Sequence, residues 1–304
     1  MEALKLQDEM IKNTTVIIPF YNRSHSMERA LDSVLLNEKY VGEVLIIDDG
    51  SSLEQIQCLN DIMALEKYAC LHARILDYDG NRNAAYARNF GIKRASKKYI
   101  AFLDSDDAWK EDKLEKQLPT IRNENDVSFS QVERCSGDRT IDIVPRIFNS
   151  DIPSYILNED GHIQTSSVVV PAKLANAVLF DDSLSKFQDW NFAINLYYHK
   201  SNFIYIEEPL SYYFVDSEDR IGNNLNMNLV NEFIRSVSHI VDSRTLDRFK
   251  EFSEIHVRIN DGDYMYSFFR LIRPRSIFIL GLKKSTRLIK LILIKEIKRF
   301  FSNV

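Results

Sequence analysis

The rhythm of apolar and polar positions changes several times along the chain. Thr14-Thr15-Val16-Ile17-Ile18-Pro19 is a β-branched run closed by proline, and it predicts a buried strand. Over residues 26–36 the period lengthens. Met27, Ala30, Leu31, Val34 and Leu35 recur at the spacing of one helix face, with Ser26 as the expected N-cap. Val44-Leu45-Ile46-Ile47 is a second unbroken apolar run, ending in Asp48-Asp49-Gly50-Ser51. Residues 52–67 and 83–95 predict helices, residues 74–77 a short strand, and residues 99–103 a strand that runs straight into Asp104. Strands that are apolar throughout and alternate with helices imply a parallel sheet covered on both faces.

Later positions are less regular. Val168-Val169-Val170-Pro171 follows the polar Gln164-Thr165-Ser166-Ser167. Residues 189–198 read as a helix, 203–206 and 212–215 as two strands, and 228–241 and 244–258 as helices. Only 9 Gly and 7 Pro in 304 residues exclude low-complexity linkers, and no internal period is present. Three cysteines, Cys58, Cys70 and Cys135, fit neither a disulfide framework nor a zinc spacing. The first residues lack the apolar core of a signal peptide, so no export is expected.

In open sheets, ligands gather beyond the carboxyl ends of the strands. Three polar clusters fall there: Phe20-Tyr21-Asn22, Asp48-Asp49, and Asp104-Ser105-Asp106. Asp104, Asp106 and Asp107 place three carboxylates in four positions, a crowding that a cation relieves. Hard oxygen ligands suit Mn²⁺ or Mg²⁺. The competing reading is a cap by Asp106 or Asp107 on a helix from Trp109 onward. Asp49 has the chemistry to accept from a base N–H or from ribose hydroxyls, or it makes a simple Asp-Gly turn. Tyr21 offers an aromatic face, or packs. Arg88 pairs with a phosphate or the strand-end acids, or is a solvated helix charge.

Taken in order, these segments resemble the family 2 glycosyltransferases of GT-A fold. The matching residues are 16–22, 44–51, Asn81 with 87–91, and 99–107. The resemblance is close over residues 14–110, weaker to about 222 and absent beyond. It implies an α/β fold with a Rossmann-like, mixed and mainly parallel sheet flanked by helices, and a C-terminal helical extension. Residues 1–110 would be the nucleotide-sugar half, 111–222 the acceptor half and 223–304 a helical region. By the same resemblance Tyr21 stacks on uracil, Asp49 binds its edge, Pro19 ends the cradling strand, and Asp104 faces the ribose and the metal. Asp106 is the direct metal ligand. The family's acidic pair falls on Gln188-Asp189, where Gln188 replaces the customary Glu and Asp189 is the expected catalytic base. Thr165 and Ser166 are weighed as acceptor contacts against a polar strand edge, and Arg220 as a diphosphate contact against a surface charge. The implied reaction is inverting hexose transfer from a nucleotide-diphosphate donor to a hydroxyl of a glycan or polyprenyl-diphosphate-linked acceptor, in surface polysaccharide synthesis. A nucleotidyltransferase would need a basic Gly-rich loop after the first strand, and residues 20–24 are not one. A non-catalytic nucleotide-sugar-binding module is the other alternative.

Charge is uneven. From Arg273 to Val304 nine bases stand against one acid, so the tail carries +8 and the remainder −13 of a net −5. Within it, Leu282, Ile289, Leu293 and Phe300 share one helical line, with Ile292 and Ile297 beside it and bases elsewhere. That is the pattern of a helix lying on an anionic membrane, with a core-packing or dimer-forming helix as the alternative. Nucleic acid is not expected as a partner, because the rest of the chain is acidic. The expected location is cytoplasmic and peripheral, at the inner face of the cell membrane.

Overall fold

The computed structural model of the protein describes residues 10–137, 139–143, 151–159, 161–215 and 225–302. The first strand, β1 (Thr14–Phe20), is buried along its whole length, as its unbroken apolar run requires. Helix α1 (Ser24–Leu35) follows and turns Met27, Ala30, Leu31 and Val34 inward. It starts two residues before the expected Ser26 cap. Arg23 takes the cap position, and the Ser26 hydroxyl is spent on the Arg23 carbonyl at 3.2 Å. Then come β2 (Val41–Asp48), α2 (Leu53–Met63), which is capped by Ser52, and β3 (Ala73–Leu76). Helix α3 (Ala84–Ile92) is capped by Asn83 and leads to β4 (Tyr99–Phe102).

Beyond β4 the chain forms β5 (Ala108–Trp109) and α4 (Lys113–Gln117). The competing reading of a helix from Trp109 onward meets a strand there, and the next helix is entered at Asp112. Next are β6 (Asp126–Ser136), β7 (Arg139–Ile143), α5 (Ile152–Asn158), β8 (Val168–Pro171), α6 (Ala172–Val178) and α7 (Gln188–Tyr198). Strand β9 (Asn202–Phe214) is continuous where the sequence pattern suggests two strands. Its pairing with β6 passes from Ser130↔Ile206 to Gln131↔Pro209, so Glu207 and Glu208 bulge out of register and the ladder resumes around the proline.

Nine strands among the described residues form one mixed sheet in the order β3-β2-β1-β4-β8-β6-β9-β5, with β7 on β6. Pairs β3–β2, β2–β1 and β1–β4 are parallel. At β4–β8 the direction reverses. Strand β1 thus lies between β2 and β4, and the loops after all three open on the same edge.

The chain divides into two compact units, Met1–Ile152 with Gly161–Arg220, and Pro153–Asp160 with Ile221–Val304. The first contains the sheet and its flanking helices. The second is helical: α8 (Met227–Val237), α9 (Ser243–Asn260), α10 (Tyr264–Leu271), α11 (Pro274–Leu280) and α12 (Leu282–Ser302). Its core includes Ile255, Ile259, Leu271, Leu280, Leu288 and Ile292. Helix α12 buries Leu288 and Ile292, while Leu282 and Leu293, on the line expected to meet a membrane, face outward. Those two are 74% and 53% exposed, while Phe300 and Ile297 have side chains outside the described residues. The helix packs on its own unit and still shows an apolar edge outward.

Candidate active site

The loops after β1 and β2 are stitched together. The Asn22 N–H donates to Ser51 Oγ at 3.0 Å, and the Ser52 N–H returns a bond to Asn22 Oδ1 at 2.8 Å. Pro19, in β1, pairs in register with Ile47. Tyr21 emerges just beyond, 48% exposed, so its ring is available as a stacking face. Asp49 is buried. Its Oδ1 accepts from the Tyr78 hydroxyl at 2.6 Å and the Arg82 N–H at 2.7 Å, and Asn81 Nδ2 holds its carbonyl at 2.8 Å. Burial, and then the Asp49 carboxylate, push the Tyr78 hydroxyl well above the ordinary phenol range, so it stays a donor.

Across β1, the end of β4 presents Asp104 and Asp106. Each carboxylate meets a guanidinium: Arg88 from α3 pairs with Asp104, and Arg23 with Asp106. Arg29 fixes the Asp106 main-chain carbonyl at 2.7 Å while its guanidinium lies 3.7 Å over the Phe214 ring. Asp107 turns the other way and is fully buried. It accepts from Gln164 Nε2 and, at 2.7 Å, from the Ser166 hydroxyl, whose oxygen in turn accepts the Asp104 N–H at 3.0 Å. Trp109 Nε1 adds a bond to the Ser166 carbonyl at 3.0 Å. Ser166 is thus an internal brace for the acidic loop, neither an acceptor contact nor a strand edge.

Asp189 enters from the first turn of α7. Its neighbour Gln188 accepts from Arg88 Nη1 at 3.4 Å and donates to the Leu184 carbonyl at 2.6 Å. Arg88 therefore bridges Asp104 to the start of α7. Its side chain is 6% exposed, packs 5.4 Å from the Phe180 ring, and keeps a buried Nε–H with no acceptor among the described residues. Below Asp189 lies an aromatic floor. Phe180 and Phe192 stack at 4.0 Å, with Phe102 edge-on to both. Thr165 is buried beside a cavity of about 10 Å³ between this floor and Asp189, room for at most one water. Such surroundings penalise charge. Burial pushes the Asp189 carboxyl up to about 6, against the Trp190 N–H bond at 2.9 Å and the Arg88 charge, while Asp104 adds to the rise.

Residues 15–182 match the family model described as Glycosyl transferase family 2.

The chain belongs to glycosyltransferase family 2.

Among curated relatives, it is 31% identical over 210 residues to the amylovoran biosynthesis glycosyltransferase AmsB of Erwinia amylovora, covering 66% of this chain and 68% of that one. It is 35% identical over 115 residues to the UDP-Glc:alpha-D-GlcNAc-diphosphoundecaprenol beta-1,3-glucosyltransferase WfgD of Escherichia coli, covering 38% of this chain and 43% of that one. In structure it resembles S. aureus TarS 1-349 in complex with UDP-GlcNAc, with a TM-score of 0.60 at 17% identity, over 92% of this chain and 81% of that one. That likeness bears on the fold: a mixed sheet of GT-A type with flanking helices. Family membership removes the nucleotidyltransferase reading.

In this glycosyltransferase, Tyr21, Asp49, Arg88, Asp104, Asp106 and Asp189 all lie in the sheet-containing unit, and Arg88 contacts both Asp104 and Gln188, the neighbour of Asp189. Arg220 lies outside the described residues. Sequence reasoning did not find Arg23, Arg29, Tyr78, Gln164 or the aromatic floor. Arg23 had a signal, since it directly follows Phe20-Tyr21-Asn22. Tyr78 and Gln164 had none, because only the tertiary fold brings them to Asp49 and Asp107. Among the described residues no group of three or more His, Cys, Asp or Glu side chains is arranged to hold a metal. The two strand-end carboxylates are nonetheless hard oxygen donors, each already drawing a cationic partner, and that chemistry fits a divalent ion sharing its ligands with phosphate and water.

Proposed function

We propose that this glycosyltransferase moves a hexose from a UDP-sugar to a hydroxyl of a lipid-linked glycan during surface polysaccharide synthesis, with inversion. The observation that carries the reading is the Arg88 bridge, which ties Asp104 at the end of β4 to Gln188, beside Asp189, at the start of α7. Tyr21 stacks on the base, and Asp49 accepts from its edge with the carboxylate oxygen not engaged by Tyr78 and Arg82. Asp189 in its ionised form removes the proton from the acceptor hydroxyl as that oxygen attacks the anomeric carbon. Displacement from the face opposite the leaving group inverts the centre, through an oxocarbenium-like transition state. The Arg88 guanidinium keeps positive charge beside the departing diphosphate. Asp106, with Asp104 beside it, would hold Mn²⁺ or Mg²⁺, which supplies Lewis-acid neutralisation of the leaving group. The lipid-linked acceptor is proposed by analogy with what WfgD is named for.

Calorimetric titration with a panel of UDP-sugars tests this directly. Affinity is expected to rise about tenfold or more on adding Mn²⁺, since a cation held by Asp106 would offset the charge of the diphosphate. Equal affinity with EDTA would remove the metal from the reading. No binding of any UDP-sugar would remove the donor.

The helical unit supports the membrane part of the proposal. Met265 and Phe269 are exposed one turn apart on α10, Ile272 at its C-cap is exposed too, Phe278 is 79% exposed, and Arg273, Arg275, Arg287 and Lys290 are exposed in the same unit. Apolar side chains with interspersed bases bind anionic interfaces. No helix among the described residues is long and apolar enough to cross a membrane. The protein is expected to float with vesicles containing phosphatidylglycerol and to stay behind with pure phosphatidylcholine. Replacing Phe269 and Phe278 by Ser should reduce flotation at least several-fold, and an unchanged partition would refute membrane docking through this face.

A further inference from the structure

Two arginine–aspartate pairs line the end of β4, and they are built differently. Arg88 is locked. Its side chain is 6% exposed, and Gln188 and the Phe180 ring hold it on Asp104. Arg23 stands in the loop after β1, its side chain 22% exposed, and meets an Asp106 side chain that is 10% exposed. The position of Asp106 does not depend on Arg23, because Arg29 holds its main-chain carbonyl from α1 and Ser166 holds the preceding Asp104 N–H. Arg23 thus reaches the Asp106 carboxylate from the rim, on the same loop that carries Tyr21.

We propose that Arg23 and a divalent cation compete for the Asp106 carboxylate, and that Arg23, once displaced, pairs with the diphosphate of the donor. The proposal rests on the reading that Asp106 holds a cation. A guanidinium and a metal ion that draw on one carboxylate divide its charge between them. Their mutual repulsion across a few ångströms of partly dry protein makes each weaken the other's hold. Arg23 leaves Asp106 only when two conditions are met: the carboxylate is neutralised by the ion, and a phosphate is within reach to accept the guanidinium's forked donors. Metal and donor then bind cooperatively, because each removes part of the cost of the other. The site is also kept neutral before the donor arrives, which limits capture of a stray cation.

Substitution at Arg23 separates this from a structural role, because it moves two affinities in opposite directions. Mn²⁺ binding to the protein alone, read from the free-ion signal in electron paramagnetic resonance, is expected to tighten about tenfold in Arg23→Gln. UDP binding at saturating Mn²⁺, read by calorimetry, is expected to weaken about tenfold in the same variant. Arg23→Lys keeps the charge and should leave Mn²⁺ affinity near that of the wild type. Arg23→Met, which retains the length of the stem, repeats the test if the glutamine variant melts too low to assay. Mn²⁺ affinity unchanged or weakened in the neutral variants overturns the competition. UDP affinity unchanged overturns the transfer to diphosphate. If the wild type itself binds no Mn²⁺ even with UDP, it is the cation reading of Asp106 that fails, and the proposal with it.

Discussion

Asp189→Asn is expected to lose about 10²–10⁴-fold in kcat while remaining folded, and at neutral pH to melt at a higher temperature than the wild type. The amide keeps an oxygen for the Trp190 N–H, so the first turn of α7 persists. It cannot take a proton from the acceptor. The stability gain follows from the raised carboxyl, pushed up to about 6 by burial over the aromatic floor. Between an ordinary unfolded value of about 3.9 and about 6, the folded protein binds more protons than the unfolded chain. Stability therefore falls as pH rises through that window, and the full cost stands above it. Removing the charge recovers at most roughly 3 kcal/mol at pH 8 and close to nothing at pH 4. Melting curves of both proteins at those two pH values check the sign. The wild-type rate should drop below pH 6, tenfold per unit, as Asp189 takes up its proton. An Asn variant within a few-fold of wild-type turnover would assign the base elsewhere.

The second large effect belongs to Asp106→Ala. Turnover is expected to fall by about 10³-fold, the equivalent of several kcal/mol of lost leaving-group stabilisation, and UDP-sugar affinity should cease to respond to Mn²⁺. The fold is expected to tolerate the change. Arg29 still grips the main-chain carbonyl at position 106, and Arg23 is near enough to the rim to return its guanidinium to water. Measuring Mn²⁺-dependent UDP-sugar hydrolysis beside a melting curve separates the two. A variant that keeps metal-dependent turnover would exclude Asp106 as the ligand.

What the sequence shows of this site follows from the range over which each signal acts. Strands β1, β2 and β4 are legible because each is a short apolar run whose burial is complete, and the polar residues that end them are the site. Asp107 misled for a physical reason. By spacing it belongs to the acidic triplet, but the turn after Asp104 points it inward, where Gln164 and Ser166, some sixty positions away, donate to its Oδ2. The length of β9 was hidden by Glu207-Glu208-Pro209, which reads as a break and is accommodated as a bulge against β6. The tail was legible as an amphipathic helix, but not which edge faces inward. Periodicity finds a stripe, and only the partners α9, α10 and α11 decide that Leu288 and Ile292 are buried while Leu293 is not. Gln188 shows the same limit: the sequence marks a departure from the family, and only the structure gives the amide its work of steadying Arg88.

The reversal of strand direction at β4–β8 marks where recombination between relatives can succeed and where it will fail. A chimera joined there keeps the loops after β1, β2 and β4 intact, so that part of the candidate site travels as a block. The join is not clean, however, because Asp107 on one side is held by Gln164 and Ser166 on the other, and Trp109 leans on the same serine carbonyl. Exchanging the segment beyond the join therefore means moving Gln164 and Ser166 together with Asp107 and Trp109, as one inherited unit. Parents that share those four residues are the ones worth crossing.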